Sequence, residues 1–157
     1  MKTEIEILQS TDLGGMNELI SVFEKVFEMK NLVRPSNAHL TNLLQSDNFF
    51  VVVVKAQNRV IAGLTIYILQ QYYSEKPLAY IYDLAVLTEY QRKGIGKSLI
   101  KFTNDYCRQK GFEGVFVQAD KVDDYAIDFY RLTKPTNEEQ VVHFNYNLEQ
   151  TNNKMES

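Results

Sequence analysis

The stretch QRKGIGKSL, from Gln91 to Leu99, decides the fold class of this 157-residue chain. It follows an apolar and aromatic run, residues 78–86, that is typical of a central β-strand. It opens an amphipathic helix that we predict over residues 96–110, with Gly111 just past its end. Because a glycine-rich turn between a strand and a helix is a common site for a phosphate group, the first question is which phosphate this turn holds.

Two common phosphate-binding motifs are excluded by single positions. The P-loop of nucleotide hydrolases and kinases, Gly-x-x-x-x-Gly-Lys-Ser/Thr, requires a glycine at position 91, where this chain has Gln91. The dinucleotide motif Gly-x-Gly-x-x-Gly requires a glycine at position 99, which is Leu99. The pattern that remains is Gln-x-x-Gly-x-Gly, in which Gly94 and Gly96 let backbone N–H groups approach an anion at the helix N-terminus. We interpret this loop as a site for the pyrophosphate of an acyl-coenzyme A.

Charge is segregated around the loop. Residues 91–101 carry four basic side chains and no acid, a local charge of +4, whereas residues 118–128 carry four aspartates against Lys121, a local charge of −3. A basic patch beside an acidic patch suits an anionic ligand next to a cationic one, although two solvated faces would give the same pattern. The basic residues of the loop itself are Arg92, Lys93 and Lys97.

Composition limits the class of protein. The length fits one domain, which we place at residues 1–150, followed by a flexible polar tail at residues 151–157. The net charge of −3 argues against nucleic-acid binding, and the longest apolar run, Phe49 to Val54, is too short to span a membrane. A single cysteine, Cys107, precludes an intramolecular disulfide and favours a cytoplasmic location, and we interpret it as core packing. The two histidines lack zinc-ligand spacing, so we predict no metal.

Periodicity predicts a mixed α/β chain of order β-α-α-β-β-β-α-β-α-β. Residues 57–59 are predicted to join two strands as a hairpin, and Gly14-Gly15 to weaken the start of the first helix. Beyond the loop we predict a strand over residues 115–119 and a short helix over residues 123–132. The alternating run Val141 to Leu148 predicts a last strand. This order lacks the regular βαβ alternation of a doubly wound sheet.

Several stretches in this order resemble the GNAT superfamily of acetyl-CoA-dependent N-acetyltransferases, and within it the type I aminoglycoside 3-N-acetyltransferases. They are AYIYDLAV (Ala79–Val86), the QRKGIG loop, FVQAD (Phe116–Asp120), DDYAIDFY (Asp123–Tyr130) and VVHF (Val141–Phe144). The resemblance departs after Tyr130, where Arg131 to Pro135 lacks the glycine of the usual helix stop.

The resemblance implies a GNAT fold, an α+β fold with a mixed, mostly antiparallel sheet and helices on both faces. The sheet would splay where the strand at residues 78–86 separates from the next, and acetyl-CoA would enter the opening. Backbone groups of Leu84, Ala85 and Val86 would pair with the pantetheine arm. The pyrophosphate would lie on the loop, whose expected cofactor-binding residues are Gln91, Arg92, Lys93, Gly94, Ile95, Gly96 and Lys97, with Tyr130 near the sulfur.

The resemblance also suggests which residues carry out the reaction. Asp83 and Asp120 are the candidate carboxylates that bind the ammonium of the acceptor and take its proton, because a free alkyl amine has a pKa of ~10.4. Asp123 and Asp124 would strengthen the local negative field and help to bind the substrate. Tyr130 would protonate the leaving sulfur, and a backbone N–H near Leu84 would polarise the thioester carbonyl.

The sequence therefore predicts direct transfer of acetyl from acetyl-CoA to an amine of a small polycationic molecule, with the 3-amino group of an aminoglycoside as the specific expectation. The alternatives left open are another acceptor, such as a polyamine or a protein N-terminus, and an acyl-CoA-binding module without catalysis. A homodimer is a reasonable expectation for this superfamily, and the exposed-looking Tyr72 and Tyr73 are either acceptor contacts or loop filler.

Overall fold

A computed structural model describes residues 1–149, which form a five-stranded sheet with helices on both faces. Gly63 and Ile66 of the third strand lie on opposite faces, since they are three residues apart. Gly63 contacts Leu19 of the first helix, and Ile66 lies beside Phe50, whose ring packs against Tyr106 of the third helix at 5.3 Å.

The elements are β1 (Glu4–Ile7), α1 (Leu13–Val26), α2 (Asn37–Gln45), β2 (Phe49–Ala56), β3 (Arg59–Leu69), β4 (Leu78–Val86), a 3₁₀ turn (Thr88–Tyr90), α3 (Ile95–Gln109), β5 (Gly114–Val117) and α4 (Asp124–Leu132).

The sheet has the order β1-β2-β3-β4-β5 and is antiparallel except between β4 and β5, which are parallel. This agrees with the predicted mixed, mostly antiparallel sheet. The parallel pairing covers only four residue pairs, from Leu78 opposite Gly114 to Ile81 opposite Val117. Beyond Ile81, β4 continues for five residues along which β5 is no longer paired to it. The sheet therefore opens between these two strands, as expected for the splay.

Local signals explain where the first elements begin and turn. The Asp12 side chain accepts a hydrogen bond from the Gly15 N–H at 2.8 Å and so caps α1, which begins at Leu13 despite the glycine pair. Between β2 and β3 the turn consists of Gln57 and Asn58, both with positive φ (53° and 63°), as in the type I′ turns of two-residue hairpins. The hairpin prediction is confirmed, with a connection one residue shorter than predicted.

The core lies between the sheet and the helices on its two faces. Residues Val51 to Val54 of β2 are at most 1% exposed, because both faces of this strand are covered. At Gly63 the backbone of β2 and the side chain of Leu19 come so close that an added Cβ would lie 2.7 Å from each. Glycine at this position therefore allows α1 to approach the sheet.

The predicted last strand, Val141 to Leu148, is wrong for the described chain. Residues 133–149 contain neither helix nor strand, and the side chains of Phe144, Tyr146 and Leu148 are 76%, 84% and 87% exposed. The residues alternate as in a strand, but a strand also needs a neighbour, and this segment has none among residues 1–149. The predicted tail, residues 151–157, lies outside the described residues. No helix within residues 1–149 is long and apolar enough to cross a bilayer.

Replacing Gly63 tests the close approach of α1 to the sheet. We expect Gly63→Ala to lower the free energy of unfolding by about 1–3 kcal/mol, because the new methyl group collides with a backbone oxygen that cannot move aside. Gly14→Ala is the matched control, since its Cβ would meet nothing closer than 3.9 Å. Urea unfolding of both variants measures the difference, and equal stabilities would contradict the packing argument.

Candidate active site

A bulge in β4 lies where the sheet opens. Thr65 of β3 is opposite Asp83, but the next residue, Ile66, is opposite Ile81, so Tyr82 is an extra residue without a partner. The Asp83 N–H donates instead to the side-chain oxygen of Thr65, at 3.3 Å. Because a bulge bends its strand and increases the local twist, it directs the end of β4 away from β5. The predicted catalytic Asp83 thus stands at the first residue after the bulge.

The backbone of β4 presents alternate residues to the opening. The Leu87 N–H donates to a carbonyl of β3 at 2.9 Å, whereas the Val86 carbonyl, on the opposite side, accepts from the side-chain amide of Gln91 at 2.8 Å. By the alternation of an antiparallel ladder, Leu84 and Val86 turn their N–H and C=O groups to the opening and Ala85 turns its own to β3. Leu84, Ala85 and Val86 were expected to contact the cofactor through their backbones. Of these three, only Ala85 has its N–H and C=O groups directed at β3 instead of the opening.

The glycine loop forms a turn that leads directly into α3. Arg92 and Gly94 both adopt left-handed backbone conformations, with φ of 61° and 82°, and Gly94 is the residue that precedes α3. The first bond within the helix runs from the Ser98 N–H to the Gly94 carbonyl at 3.0 Å. No side chain caps this terminus, so the N–H groups of residues 95–97 are left for another acceptor.

The basic side chains of the loop are available to an anion. Arg92, Lys93 and Lys97 are exposed and make no salt bridge with any residue from 1 to 149. One turn further along α3, Lys101 is instead paired with Asp105 at 2.7 Å. The structure thus distinguishes three cations without a salt bridge within residues 1–149 from a fourth that is paired with a carboxylate.

Helix α4 packs directly on this loop. A Cβ on Gly96 would lie 2.8 Å from the ring of Phe129, so the glycine makes room for an aromatic side chain of α4 as well as for a ligand. The Tyr125 O–H donates to the Gln91 side-chain oxygen at 3.3 Å. Neither Phe129 nor Tyr125 was singled out from the sequence. The two residues are four positions apart, so they lie on one face of the helix. This spacing is the feature of the sequence from which they could have been identified.

The structure brings Tyr130, Asp83 and Asp123 close together. Burial raises the pKa of the Tyr130 phenol to about 12, and the nearby carboxylates of Asp83 and Asp123 contribute to the increase. Burial also raises the pKa of Asp83 above its usual value. Asp123 has a structural role besides, because its carboxylate accepts the Ala126 N–H at 3.0 Å and caps α4. Asp83 and Tyr130 are half-buried, whereas Asp123 is exposed.

The other two predicted acidic residues, Asp120 and Asp124, do not contribute to the pKa of Tyr130. Asp120, in the loop between β5 and α4, is exposed, and its backbone carbonyl accepts the Asp123 N–H at 2.9 Å. Asp124 is exposed in the first turn of α4. The carboxylates that act on the Tyr130 pKa are those of Asp83 and Asp123. Asp120 and Asp124 therefore contribute surface charge.

A group of tyrosines, not anticipated from the sequence, covers the sheet beside Asp83. The rings of Tyr67 and Tyr80 each meet Tyr82 edge to face, at 5.5 and 5.8 Å, and Tyr80 stacks on Phe116 at 4.7 Å. Tyr67 and Tyr82 are 38% and 56% exposed. Burial, the neighbouring Tyr82 and the Asp83 carboxylate raise the pKa of both Tyr67 and Tyr80, which places Asp83 near these rings.

Cys107 and the metal-ligating residue types complete the inventory of reactive groups. Cys107 is 1% exposed, and burial raises the pKa of its thiol to about 11, so it is a neutral packing residue, as interpreted from the sequence. Within residues 1–149 no group of three or more His, Cys, Asp or Glu side chains is placed to hold a metal ion.

Residues 16–133 match the acetyltransferase (GNAT) family. The chain belongs to this family. The prediction of an acetyl-CoA-dependent N-acetyltransferase with a GNAT fold is thereby confirmed. A comparison with curated protein sequences gave no match.

Solved structures of GNAT proteins resemble this chain over most of its length. An aminoglycoside acetyltransferase, meta-AAC0020, from an uncultured soil metagenomic sample is 61% identical in its complex with trehalose, with a TM-score of 0.92 over 94% of this chain and 97% of that one. The same enzyme in complex with sisomicin gives a TM-score of 0.92 over the same shares at 60% identity. A second soil enzyme, the aminoglycoside acetyltransferase HMB0005, is 29% identical, with a TM-score of 0.88 over 95% of this chain and 100% of that one. The resemblance to aminoglycoside acetyltransferases is confirmed, while selectivity for the 3-amino group stays a prediction.

Replacing Gly96 tests the contact between the loop and α4. We expect Gly96→Ala to reduce the rate of acetyl transfer by at least about tenfold, since the Phe129 ring must move and shift the adjacent Tyr130 away from the opening. Gly114→Ala is the control, because its nearest neighbour, a methyl group of Leu78, stays at an ordinary 3.5 Å. Steady-state kinetics of folded protein measures the effect, and an unchanged rate for Gly96→Ala would contradict the role of this contact.

The raised pKa of Asp83 predicts a pH-dependent stability. Folding makes this carboxyl bind its proton more tightly, so Asp83 lowers the free energy of unfolding as pH rises from its unfolded pKa through its raised folded pKa. We therefore expect Asp83→Asn to be at least as stable as the unchanged protein at neutral pH, and to lose this advantage below the unfolded pKa of about 3.9. Thermal unfolding across that range measures it. A destabilised Asp83→Asn at neutral pH would show that the charge is well compensated.

Proposed function

We propose that this enzyme transfers the acetyl group of acetyl-CoA to an amino group of an aminoglycoside, with the 3-amino group of the 2-deoxystreptamine ring as the position. The observation that carries the proposal is the opening between β4 and β5, with Asp83 and Tyr130 beside it, in a chain 61% identical to an aminoglycoside acetyltransferase. That relative has also been crystallised with sisomicin, an acceptor of the proposed class.

The α3 side of the opening suits the cofactor. The pyrophosphate would be bound by the free N–H groups of residues 95–97 and by Arg92, Lys93 and Lys97. The pantetheine arm would then run along the open edge of β4, where Leu84 offers both backbone groups and Val86 its N–H. The Val86 carbonyl is already bonded to Gln91, so it contributes no acceptor to the cofactor.

The opposite face of the sheet suits a cationic acceptor. Tyr67 is four residues from Gly63, so its side chain lies on the face of the sheet that α1 covers. Asp83 lies on the same face, because it is opposite Thr65, which is two residues from Gly63. Exposed tyrosine faces attract ammonium groups, and a carboxylate beside them binds such a group directly. The exposed Asp120 and Asp124 add negative potential near this entrance. A polyamine-like sugar would thus meet the thioester from the side opposite the cofactor loop.

The chemistry follows from these placements. Asp83, made more basic by burial, takes a proton from the acceptor ammonium, and the free amine attacks the thioester carbonyl. The Leu84 N–H, which faces the opening, would stabilise the oxyanion of the tetrahedral intermediate. As the carbon–sulfur bond breaks, the Tyr130 O–H donates its proton to the departing thiolate. The attacking nitrogen loses its second proton, which returns to Tyr130 through water, so that the products are the amide and the free thiol. With a pKa of about 12, this phenol stays protonated at neutral and mildly alkaline pH.

The transfer is direct, without an acyl-enzyme. The cysteine in the chain, Cys107, is buried on the inner side of α3 and its thiol remains neutral, so it does not act as a nucleophile. Both substrates would occupy the opening together, one from each face of the sheet. The proposal includes action in the cytoplasm, where a free cysteine remains reduced.

Acetyl transfer to a panel of amines tests the proposed acceptor. Purified full-length protein is mixed with acetyl-CoA and sisomicin, gentamicin, spermidine or a peptide with a free N-terminus, and the released thiol is measured. We expect release that depends on the aminoglycosides, and nuclear magnetic resonance of the product to show acetylation at the 3-amino group. Release with spermidine or the peptide alone would overturn the acceptor class, and acetylation elsewhere on the sugar would overturn the position.

Tyr130→Phe separates catalysis from binding. Because only the proton donor is removed, we expect turnover to fall about 100-fold while the affinity for coenzyme A, measured by calorimetry, is kept. The control is Tyr106→Phe, which removes a phenol hydroxyl from α3 on the ring that packs against Phe50. If both variants turn over at the same rate, Tyr130 is not the donor.

A further inference from the structure

We propose that Thr65 is a positioning residue for the reaction. Its side-chain hydroxyl holds the bulge of β4 at Tyr82, and the bulge keeps the Asp83 carboxylate and the Leu84 N–H in the places where the reaction needs them. The catalytic part of this proposal rests on the proposed function, in which Asp83 takes the proton of the acceptor and the Leu84 N–H binds the oxyanion. The structural part, the hold on the bulge, does not depend on the acceptor.

Thr65 is a polar residue in an apolar part of β3. Every residue from Val60 to Ile66 is buried, and Thr65 is the one in this run whose side chain can form a hydrogen bond. It is 7% exposed, and its Oγ1 accepts the Asp83 N–H at 3.3 Å. Because a buried hydroxyl without a partner is costly, this bond explains why a threonine is tolerated among the apolar residues of the strand.

The pairing of β4 with β3 follows two registers that differ by one residue. Before the bulge Ile81 is opposite Ile66, and after it Asp83 is opposite Thr65. If the first register continued without a bulge, Asp83 would be opposite Leu64 instead. The bulge is therefore the point at which the strand changes from one register to the other.

The register decides on which face of the sheet the Asp83 carboxylate lies. Opposite Thr65, Asp83 lies on the face that α1 covers, and there its carboxylate helps to raise the pKa of Tyr67 and Tyr80. Opposite Leu64, which is 0% exposed and on the other face, the same carboxylate would enter the apolar core. The bulge thus keeps the carboxylate on the face proposed for the acceptor.

The register also decides which backbone groups of β4 face the opening. Positions bonded to β3 and positions directed away from it alternate along the strand, so a shift of one residue exchanges them. In the observed register the Leu84 N–H faces the opening and the Ala85 N–H is directed at β3. In the shifted register the Leu84 N–H would be directed at β3 and could not bind the oxyanion. Both groups that the proposed reaction takes from β4 therefore depend on the bulge.

The contacts of Tyr82 show that the bulge places two successive residues on one face. The Tyr82 ring meets Tyr67 and Tyr80 edge to face at 5.5 and 5.8 Å, on the face that also carries Asp83. In a regular strand two neighbouring side chains point to opposite faces. The ring contacts hold the extra residue, and the Thr65 hydroxyl binds the N–H of the residue after it. The hydroxyl is the part that can be removed with little change of shape.

Kinetics of Thr65→Val tests the role in the reaction. Valine has the shape of threonine but offers no acceptor to the Asp83 N–H. We expect kcat with sisomicin to fall about 10- to 100-fold, because small displacements of Asp83 and Leu84 misalign the reacting groups. Since the glycine loop is unaltered, the loss appears in kcat more than in the KM for acetyl-CoA. Thr65→Ser keeps the hydroxyl and is expected to recover most of the rate.

Thr103→Val is the matched control for the kinetics. Thr103 is also a buried threonine, 0% exposed on α3, and its hydroxyl has no hydrogen-bond partner within residues 1–149. We expect this variant to keep the rate of the unchanged protein. Equal rates for Thr65→Val and Thr103→Val would overturn the positioning role, and so would a Thr65→Ser variant as slow as Thr65→Val.

Amide hydrogen exchange, followed by nuclear magnetic resonance, tests the hold on the bulge without any acceptor. We expect the Asp83 N–H to exchange slowly in the unchanged protein and in Thr65→Ser, and at least about fivefold faster in Thr65→Val. Rapid exchange of this N–H in the unchanged protein would overturn the proposal, even if Thr65→Val does not fold. If the unchanged protein acetylates no amine but the exchange follows the expected pattern, the proposed function fails and the hold of Thr65 on the bulge is supported.

Discussion

The limited pairing of β4 with β5 is the constraint on which the active site depends. The two strands share four residue pairs and then separate at a bulge, where Tyr82 has no partner and Asp83 bonds to the Thr65 side chain. The separation exposes backbone groups of β4 that would otherwise be bonded within the sheet. It also admits Tyr130 from the next helix to the same place. In the proposed function, the cofactor would act as the missing neighbour of β4, with Asp83 and Tyr130 near its end.

Local features of this architecture could be predicted from the sequence because their causes lie within a few residues. The helix after the glycine loop, the hairpin at Gln57-Asn58 and the strand Leu78–Val86 were each predicted to within a residue of their observed bounds, because they depend on backbone preferences or on a short apolar pattern. The bulge could not be predicted in the same way. No glycine or proline marks position 82, and the hydroxyl that replaces the lost ladder bond comes from Thr65, on another strand.

Long-range packing also changed the meaning of residues that the motif singled out. Ala85 belongs to the expected cofactor-binding run, but the ladder with β3 uses its backbone groups, and that depends on a register that one strand alone does not reveal. Gly96 belongs to the phosphate loop and also receives the Phe129 ring. The alternation of residues 141–148 predicted a strand that the described chain does not form, because pairing is a property of two segments.

Gln91, the first residue of the loop motif, contacts protein groups on both sides. Its amide nitrogen donates to the Val86 carbonyl and its amide oxygen accepts from the Tyr125 hydroxyl, so one side chain joins the end of β4 to α4. Glutamate has no donor for the carbonyl, and lysine or arginine has no acceptor for the phenol. The motif has glutamine at this position because the side chain must donate one hydrogen bond and accept another to connect β4 with α4. Gln91 thus holds β4 and α4 together, and in the proposed function the cofactor would contact the residues that follow it.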